Sequence, residues 1–271
     1  MSIEINKLHF AYPDSDFALQ LPTLKLAAGL TAIVGQNGAG KSTLFKLLLG
    51  LQPMQAGTIT INGTSGEQLV GSARLHQIGM LFQNPDDQLF NATVAKEVAW
   101  SARQITKDRT EVDQIVQKTL AQVELQDLAA ANPFDLSLSD RKLLAFATLL
   151  ATNPQSYLLD EPMIALDWHS QAIVLRIVKE LAQAGHQIIV STHDMDLVAA
   201  NFGRVITFDH GKMLFDGAPT DLFAAPAIME QAGLLPPQIM QICAQLGDTN
   251  VYLTPDDYVS KHQTAQLQTQ H

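Results

Sequence analysis

The stretch LTAIVGQNGAGKSTLFKLLLG, residues 30–50, decides the fold. Its first part, Leu30 to Val34, is a continuous apolar run of the kind found in strands buried on both faces. Its last part, STLFKLLLG, reads as a helix. Between them GQNGAGKST (35–43) matches G-x-x-x-x-G-K-[ST] in the strand-to-helix context that pattern requires. Gly35, Gly38 and Gly40 let the backbone curl so that successive N–H groups, with Gln36, Asn37 and Ala39 in the same turn, face inward on a phosphate. Lys41 reaches the β- and γ-phosphates, and Ser42, followed by Thr43, offers a hydroxyl to Mg²⁺. A Gly-rich turn that happens to contain a lysine is the alternative, and the correct flanks speak against it. Residues 35–43 form a P-loop nucleotide site.

Working outward, the remaining strand-like segments lie near 2–10, 57–62, 77–83, 155–160, 186–192 and 204–209. YLLD and HQIIVST, like LTAIV, read as strands covered on both faces. Helical patterns alternate with them. Val112, Ile115, Val116, Leu120 and Val123 recur at helix spacing within 110–128, and the helix over about 141–152 is apolar nearly all round. A third runs over about 169–184, with Gly185 in the place of a C-terminal cap. This alternation predicts an α/β fold with a mostly parallel core sheet. Residues 84–153 interrupt it as an inserted helical subdomain. Residues 216–271 change character, with DGAP, a Pro236-Pro237 pair and a polar, Gln-rich end, and are expected to form a small appendage whose last residues are mobile.

The chain's 271 residues suit one large domain with such an appendage. At 46% hydrophobic and 16% charged it can bury a sizeable core. A net charge of −10 argues against a general nucleic-acid binder. The lone Cys243 excludes an internal disulfide framework and any Cys-rich metal site, and reads as a small packed hydrophobe. MSIEINKLHFAYP alternates like a strand and has no apolar signal core. No apolar run approaches the ~20 residues of a membrane-spanning helix, so work at a membrane would require another chain as the anchor.

Three further stretches carry chemistry. QSYLLDEP (155–162) places Asp160 and Glu161 at the carboxyl end of a buried strand, where ligands of open α/β sheets gather. Asp160 can hold Mg²⁺ through water, and Glu161 can align and activate an attacking water. STHD (191–194) follows another buried strand, and its His193 can reach a γ-phosphate; alone, such a histidine is as ordinary on a surface. Gln83, at the end of IGMLF, is unremarkable by itself.

In this order and spacing, over about residues 1–215, the chain resembles the nucleotide-binding domain of ABC ATPases, a P-loop NTPase fold. The resemblance implies a Walker A loop at 35–43, a Q-loop glutamine at Gln83 that joins Ser42 and Asp160 around Mg²⁺, and a Walker B strand at 157–161. It also implies a D-loop at Leu166-Asp167, a switch histidine at His193 and an adenine-stacking aromatic at Tyr12. On its own sequence, Tyr12 reads equally well as an aromatic in a strand-to-loop turn. FQNPDDQLF (82–90), DGAPTDLF (216–223) and GLLPPQIMQICAQL (233–246) resemble the ATPases of energy-coupling factor (ECF) importers of vitamins and metal ions. That likeness implies two ATPases at the cytoplasmic face of the membrane. They drive a transmembrane coupling protein and, through it, a substrate-binding membrane protein, with no nucleic acid involved. It places the coupling contact around Gln83 to Trp100. Phe90 and Trp100 can face that partner, although core packing is the ordinary role of each.

One stretch departs from the family. LSLSD (136–140) stands where LSGGQ belongs. Locally Ser137, Ser139 or Asp140 can each cap the helix that follows. By resemblance, the signature of one subunit offers a serine hydroxyl, N–H groups and a helix N-terminus to ATP held by the other. Ser137 keeps that hydroxyl, but both glycines are gone and Asp140 brings a charge. At ~5 Å from one phosphate charge and an effective dielectric of about 20, that repulsion is roughly 3 kcal/mol. EPMIALDW (161–168) departs too, with Met163 and Trp168 where Thr and Pro are usual. A homodimer would carry two impaired sites. A heterodimer with an intact LSGGQ partner would complete one good site on this chain's Walker A, Glu161 and His193. The expected function is thus an ATP-hydrolysing ECF-importer subunit in an asymmetric pair. The alternatives are the ATPase of another ABC transporter, a soluble ABC ATPase acting on DNA or ribosomes, and a nucleotide-binding regulatory subunit with little hydrolysis.

Overall fold

Ile3, Ile5, Leu8 and Phe10 turn inward, with the alternation shifted by one residue at Asn6-Lys7, so β1 (Ser2–Ala11) is a strand with one buried face. In the computed structural model, which describes the backbone of residues 1–268 and the side chains of 1–263, β2 (Ala18–Ala27) returns antiparallel to it. β2 is absent from the sequence reading because Pro22 interrupts it. Pro22 falls between the Leu21–Leu8 and Thr23–Asn6 pairs, in a gap of the ladder where its missing N–H breaks no pairing. Leu19, Leu21, Leu24 and Leu26 are buried along β2.

β3 (Gly29–Val34) and α1 (Lys41–Leu48) flank the glycine-rich loop as expected. β4 (Ala56–Ile61), the short β5 (Thr64–Ser65), α2 (Gly71–Gln77) and β6 (Ile78–Leu81) follow. The helical insertion consists of α3 (Val94–Ala102), α4 (Arg109–Gln122) and α5 (Leu138–Thr152). Then come β7 (Ser156–Asp160), α6 (Trp168–Gln183), β8 (Gln187–Ser191), α7 (Met195–Asn201), β9 (Arg204–Asp209) and β10 (Lys212–Gly217). The C-terminal segment holds α8 (Pro219–Phe223), α9 (Pro226–Gln231), α10 (Gln238–Gln245) and α11 (Pro255–Gln268). The expected mobile end runs past Gln268 into positions 269–271, which lie outside the described residues. No helix among the described residues is long and apolar enough to cross a membrane.

The chain folds as two compact units. One comprises residues 1–30 and 42–191, the other 31–41 and the chain from Thr192 onward. In the first, β5, β4, β1 and β2 form an antiparallel run, while β8, β7 and β6 pair in parallel, Asp160 level with Ser191. In the second, β9 pairs parallel with β3 and antiparallel with β10. Every residue of β6, β7 and β8 is buried, as strands covered on both faces must be.

The insertion is built around α5, which is buried at every position from Lys142 to Thr152 and ends on Asn153 in the left-handed region. Within it, Glu97 of α3 is 1% exposed. Its carboxyl group accepts the N–H groups of Phe90 (2.9 Å) and Asn91 (2.6 Å) and the Asn91 side-chain amide (3.1 Å). A buried acid thus fixes the loop that leads into α3. Replacing Glu97 by Ala strands these donors, and the expected loss is about 3 kcal/mol in urea unfolding, with Glu97→Gln retaining roughly half. Equal midpoints for both variants and the parent protein would remove Glu97 as the loop's anchor.

Candidate functional site

In the second unit the chain leaves β3 at Val34 and turns at Gly35, whose φ is +147°. A Cβ there would lie 2.3 Å from the Phe208 carbonyl oxygen, so only glycine fits the close approach of loop and strand. Gly38 and Gly40 also take positive φ, +83° and +109°. The Ala39 N–H donates to the Gln36 carbonyl (3.1 Å), and the Gly211 N–H to the Ala39 carbonyl (3.0 Å), which ties the loop to the turn after β9. Lys41 is buried and its ammonium lies back across the loop, donating to the carbonyls of Gly35 (2.7 Å) and Gln36 (3.1 Å). A phosphate oxygen is a stronger acceptor than either carbonyl and can draw the ammonium away. His193 is exposed, and it lines a cleft of about 580 Å³ with Gly35, Gln36 and Asn37. Gly233 and Pro236 of the C-terminal segment line the same cleft, and the Gln36 side chain lies directly against Gly233.

The first unit holds the acids. Asp160 and Glu161 are 4% and 6% exposed at the end of β7. The Ser191 hydroxyl donates to Asp160 Oδ1, and the Glu161 N–H donates to the Ser191 carbonyl (3.1 Å) and hydroxyl (3.3 Å). Ser191, the first letter of STHD, therefore holds the carboxylate of Asp160 and the backbone of Glu161, a role that only the parallel register of β7 and β8 reveals. Thr43 lies in the first turn of α1, and its hydroxyl is 3.4 Å from that of Tyr12, which puts the aromatic beside the helix that starts at the phosphate loop. Tyr12 is half-exposed and stands edge-on to Phe10, with ring centres 4.8 Å apart.

No cluster of three or more metal-ligating acids, histidines or cysteines occurs among the described residues. The residues that the family resemblance implies for a metal, Ser42, Gln83 and Asp160, would supply a hydroxyl, an amide oxygen and one carboxylate. That set suits Mg²⁺, which keeps several waters and takes its remaining ligands from phosphates. Gln83 is exposed beyond the end of β6. Downstream of it, Gln88 donates to the Ala145 carbonyl (3.1 Å) and the Thr148 hydroxyl (2.7 Å) of α5, and Asp86 pairs with Arg141 at 3.5 Å. Phe90 and Trp100, given core packing as their ordinary role, are instead 61% and 48% exposed and pack edge-to-face on each other.

Of the three candidate caps in SLSD, Ser137 is the one used. Its hydroxyl accepts the Asp140 N–H (3.1 Å) and donates to Asp140 Oδ2 (2.7 Å). Ser139 and Lys142 turn the other way, toward the loop between β7 and α6. The Ser139 hydroxyl donates to the Ala165 carbonyl (3.4 Å) and accepts the Asp167 N–H (3.0 Å). Lys142 Nζ donates to the carbonyls of Ile164 (2.6 Å) and Glu161 (3.5 Å). Burial lowers the Lys142 pKa below the ordinary lysine value, and the charge of Glu161 opposes that shift. A lone lysine after a helix cap carries no sequence signal for such a role, and Lys142 is nonetheless buried.

Residues 21–164 match the family model described as ABC transporter. The chain belongs to the ABC transporter family. The energy-coupling factor transporter ATP-binding protein EcfA of Methanothermobacter thermautotrophicus is 32% identical over 249 residues, covering 90% of this chain and 79% of that protein. EcfA of Carboxydothermus hydrogenoformans is 34% identical over 244 residues, covering 89% and 90%. Among solved structures, cbiO1 of Clostridium perfringens, part of the ABC transporter complex cbiONQ, has a TM-score of 0.73 at 28% identity and covers 89% of this chain and 98% of its own. This ABC protein is therefore an ATP-binding, transport-coupled ATPase with the P-loop α/β fold. Its nucleotide loop makes one sharp demand. Gly35→Ala puts a Cβ against backbone, and ATP affinity, read with a fluorescent analogue, is expected to fall at least about tenfold with far-UV dichroism unchanged. Undiminished binding by this variant would mean that the loop adjusts freely.

Proposed function

We propose that the chain is an ATPase subunit of an ECF-type importer, held peripherally at the cytoplasmic face of the membrane, and works as one half of an asymmetric pair. The N–H groups of residues 35–43 and Lys41 bind the phosphates of ATP, and Tyr12 stacks on the adenine. Ser42, Gln83 and Asp160 hold Mg²⁺, whose charge offsets that of the phosphates. Glu161 activates water, while His193 and Gln83 report the γ-phosphate. ATP closes the pair and hydrolysis reopens it. The motion passes to a transmembrane coupling protein through the segment Gln83 to Trp100, where the exposed pair Phe90 and Trp100 offers an apolar contact. Residues 216–271 act as a C-terminal extension of the nucleotide-binding domain over 1–215. The likeness to EcfA proteins over nine-tenths of the chain supports the ECF assignment.

The observation that carries the asymmetry is the 2.7 Å bond from Ser137 to Asp140. The serine hydroxyl has one proton, and it is given to a carboxylate of its own helix rather than left for a phosphate across the dimer. Asp140 adds a charge of the same sign as that phosphate at the helix N-terminus, where the helix dipole would otherwise attract it. The partner's ATP therefore faces a weakened signature. A partner with an intact LSGGQ completes a full site on this chain.

Steady-state hydrolysis at increasing concentrations of the purified chain tests this. The chain alone is expected to bind ATP and remain inert, a second ATPase with intact LSGGQ to restore turnover, and Glu161→Gln to lower that turnover at least about 100-fold. Activity of the chain alone that climbs faster than linearly with its concentration would show that SLSD completes a site, and the asymmetric pair would fall. Persistent inertness with both the partner and the membrane subunits present would favour a regulatory subunit.

A further inference from the structure

The substitutions in SLSD do more than remove contacts. Glycine at position 139 would offer nothing to the loop between β7 and α6, whereas Ser139 makes two hydrogen bonds to it, at Ala165 and Asp167. Lys142 lies one turn further on the same face of α5 and makes two more, at Ile164 and Glu161. The loop so held is seven residues long in sequence, begins with Glu161 and ends with Asp167. It contains two non-glycine residues in the left-handed region, Glu161 at φ +47° and Ala165 at φ +60°. Such residues persist only where their surroundings impose the conformation. Three carbonyls and one N–H of the loop find their partners on Ser139 and Lys142, and these bonds include the carbonyl of Glu161 and that of Ala165. The far end is tied in as well, because Asp167 caps α6 by accepting the Ser170 N–H at 2.8 Å.

We propose that Ser139 and Lys142 are positioning residues that brace the loop Glu161–Asp167 from within the same chain and thereby hold Glu161 in the backbone conformation its carboxylate needs. This rests on Glu161 being the water-activating group. The helix that carries the altered signature then serves the catalytic acid beside it, and any force applied to the first turn of α5 reaches Glu161 through two side chains. The design differs from a signature that has merely decayed. Decay predicts that restoring glycine at 139 is harmless to the chain's own site; a brace predicts that it is harmful.

Hydrogen exchange on the full-length protein without nucleotide reads the brace directly. In Ser139→Gly the Asp167 amide loses its acceptor and is expected to exchange about tenfold faster, while amides in the body of α6 are unchanged. Lys142→Met is expected to speed exchange at Ile164 and Leu166, with Lys142→Arg close to the parent protein. Should Lys142→Met fail to fold, Ser139→Gly carries the comparison. In the pair with an intact-LSGGQ ATPase, both loop-loosening variants are expected to lower kcat about tenfold at an unchanged KM for ATP, and Lys142→Arg to retain it. Loop exchange within twofold of the parent in Ser139→Gly and Lys142→Met, or a raised KM at unchanged kcat, overturns the proposal. A parent pair that never hydrolyses ATP would sink the functional reading alone, since the exchange comparison still decides whether these two side chains hold the loop.

Discussion

A helix buried on nearly every side can keep polar groups only where neighbouring segments come to meet them, and α5 is such a helix. That constraint organises the first compact unit. Thr148 and the Ala145 carbonyl are met by Gln88, Arg141 is paired with Asp86 through one nitrogen while its buried Nε finds no hydrogen-bond partner among the described residues, and Lys142 is met by carbonyls of the loop after β7. Two loops that would otherwise be free to wander are thus registered against one rigid rod. One is the segment after Gln83, the other the segment after Asp160. Backbone placement in each is set by contacts with that rod.

Charge is handled locally. The chain carries a net −10, and ATP is itself strongly anionic, so the overall charge of the chain works against gathering the nucleotide. What the loop offers an anion is short-range: N–H groups of a backbone curled by three glycines, the start of α1 and the buried ammonium of Lys41. This is why Gly35 is so constrained. The loop can present its amides only if the backbone passes within van der Waals distance of Phe208, and a methyl group closes that gap.

Much of this was legible in the residues. The apolar runs at 30–34, 155–160 and 186–192 announce strands buried on both faces, and each is found there, with the nucleotide motifs at their ends. β2 was hidden because Pro22 reads as a strand breaker, and only the gap in the ladder shows why it is tolerated. Ser191 was quoted as part of a motif yet given no role, because its partners stand 31 and 30 positions away and are brought level by sheet register. For Phe90 and Trp100 the sequence leaves two readings, core packing as the ordinary one and a face toward a partner as the other, and both rings lie exposed. Ser139 offers itself in the sequence as a helix cap, and Lys142 carries no local signal. Their meaning lies in the loop they face, which composition and spacing do not reveal.

The two hydrogen bonds of Ser139 also bear on how such a chain can change over generations. Once a loop comes to lean on a side chain, the ancestral-looking residue is no longer a neutral option. Glycine at 139 would have to arrive with a compensating contact elsewhere in the Glu161–Asp167 loop, and Asp140 and Leu138 would have to revert as well before any contact across a dimer improved. A chain that carries SLSD with these contacts thus holds a side chain at position 139 through its own internal hydrogen bonds, whatever the residue does for a neighbour.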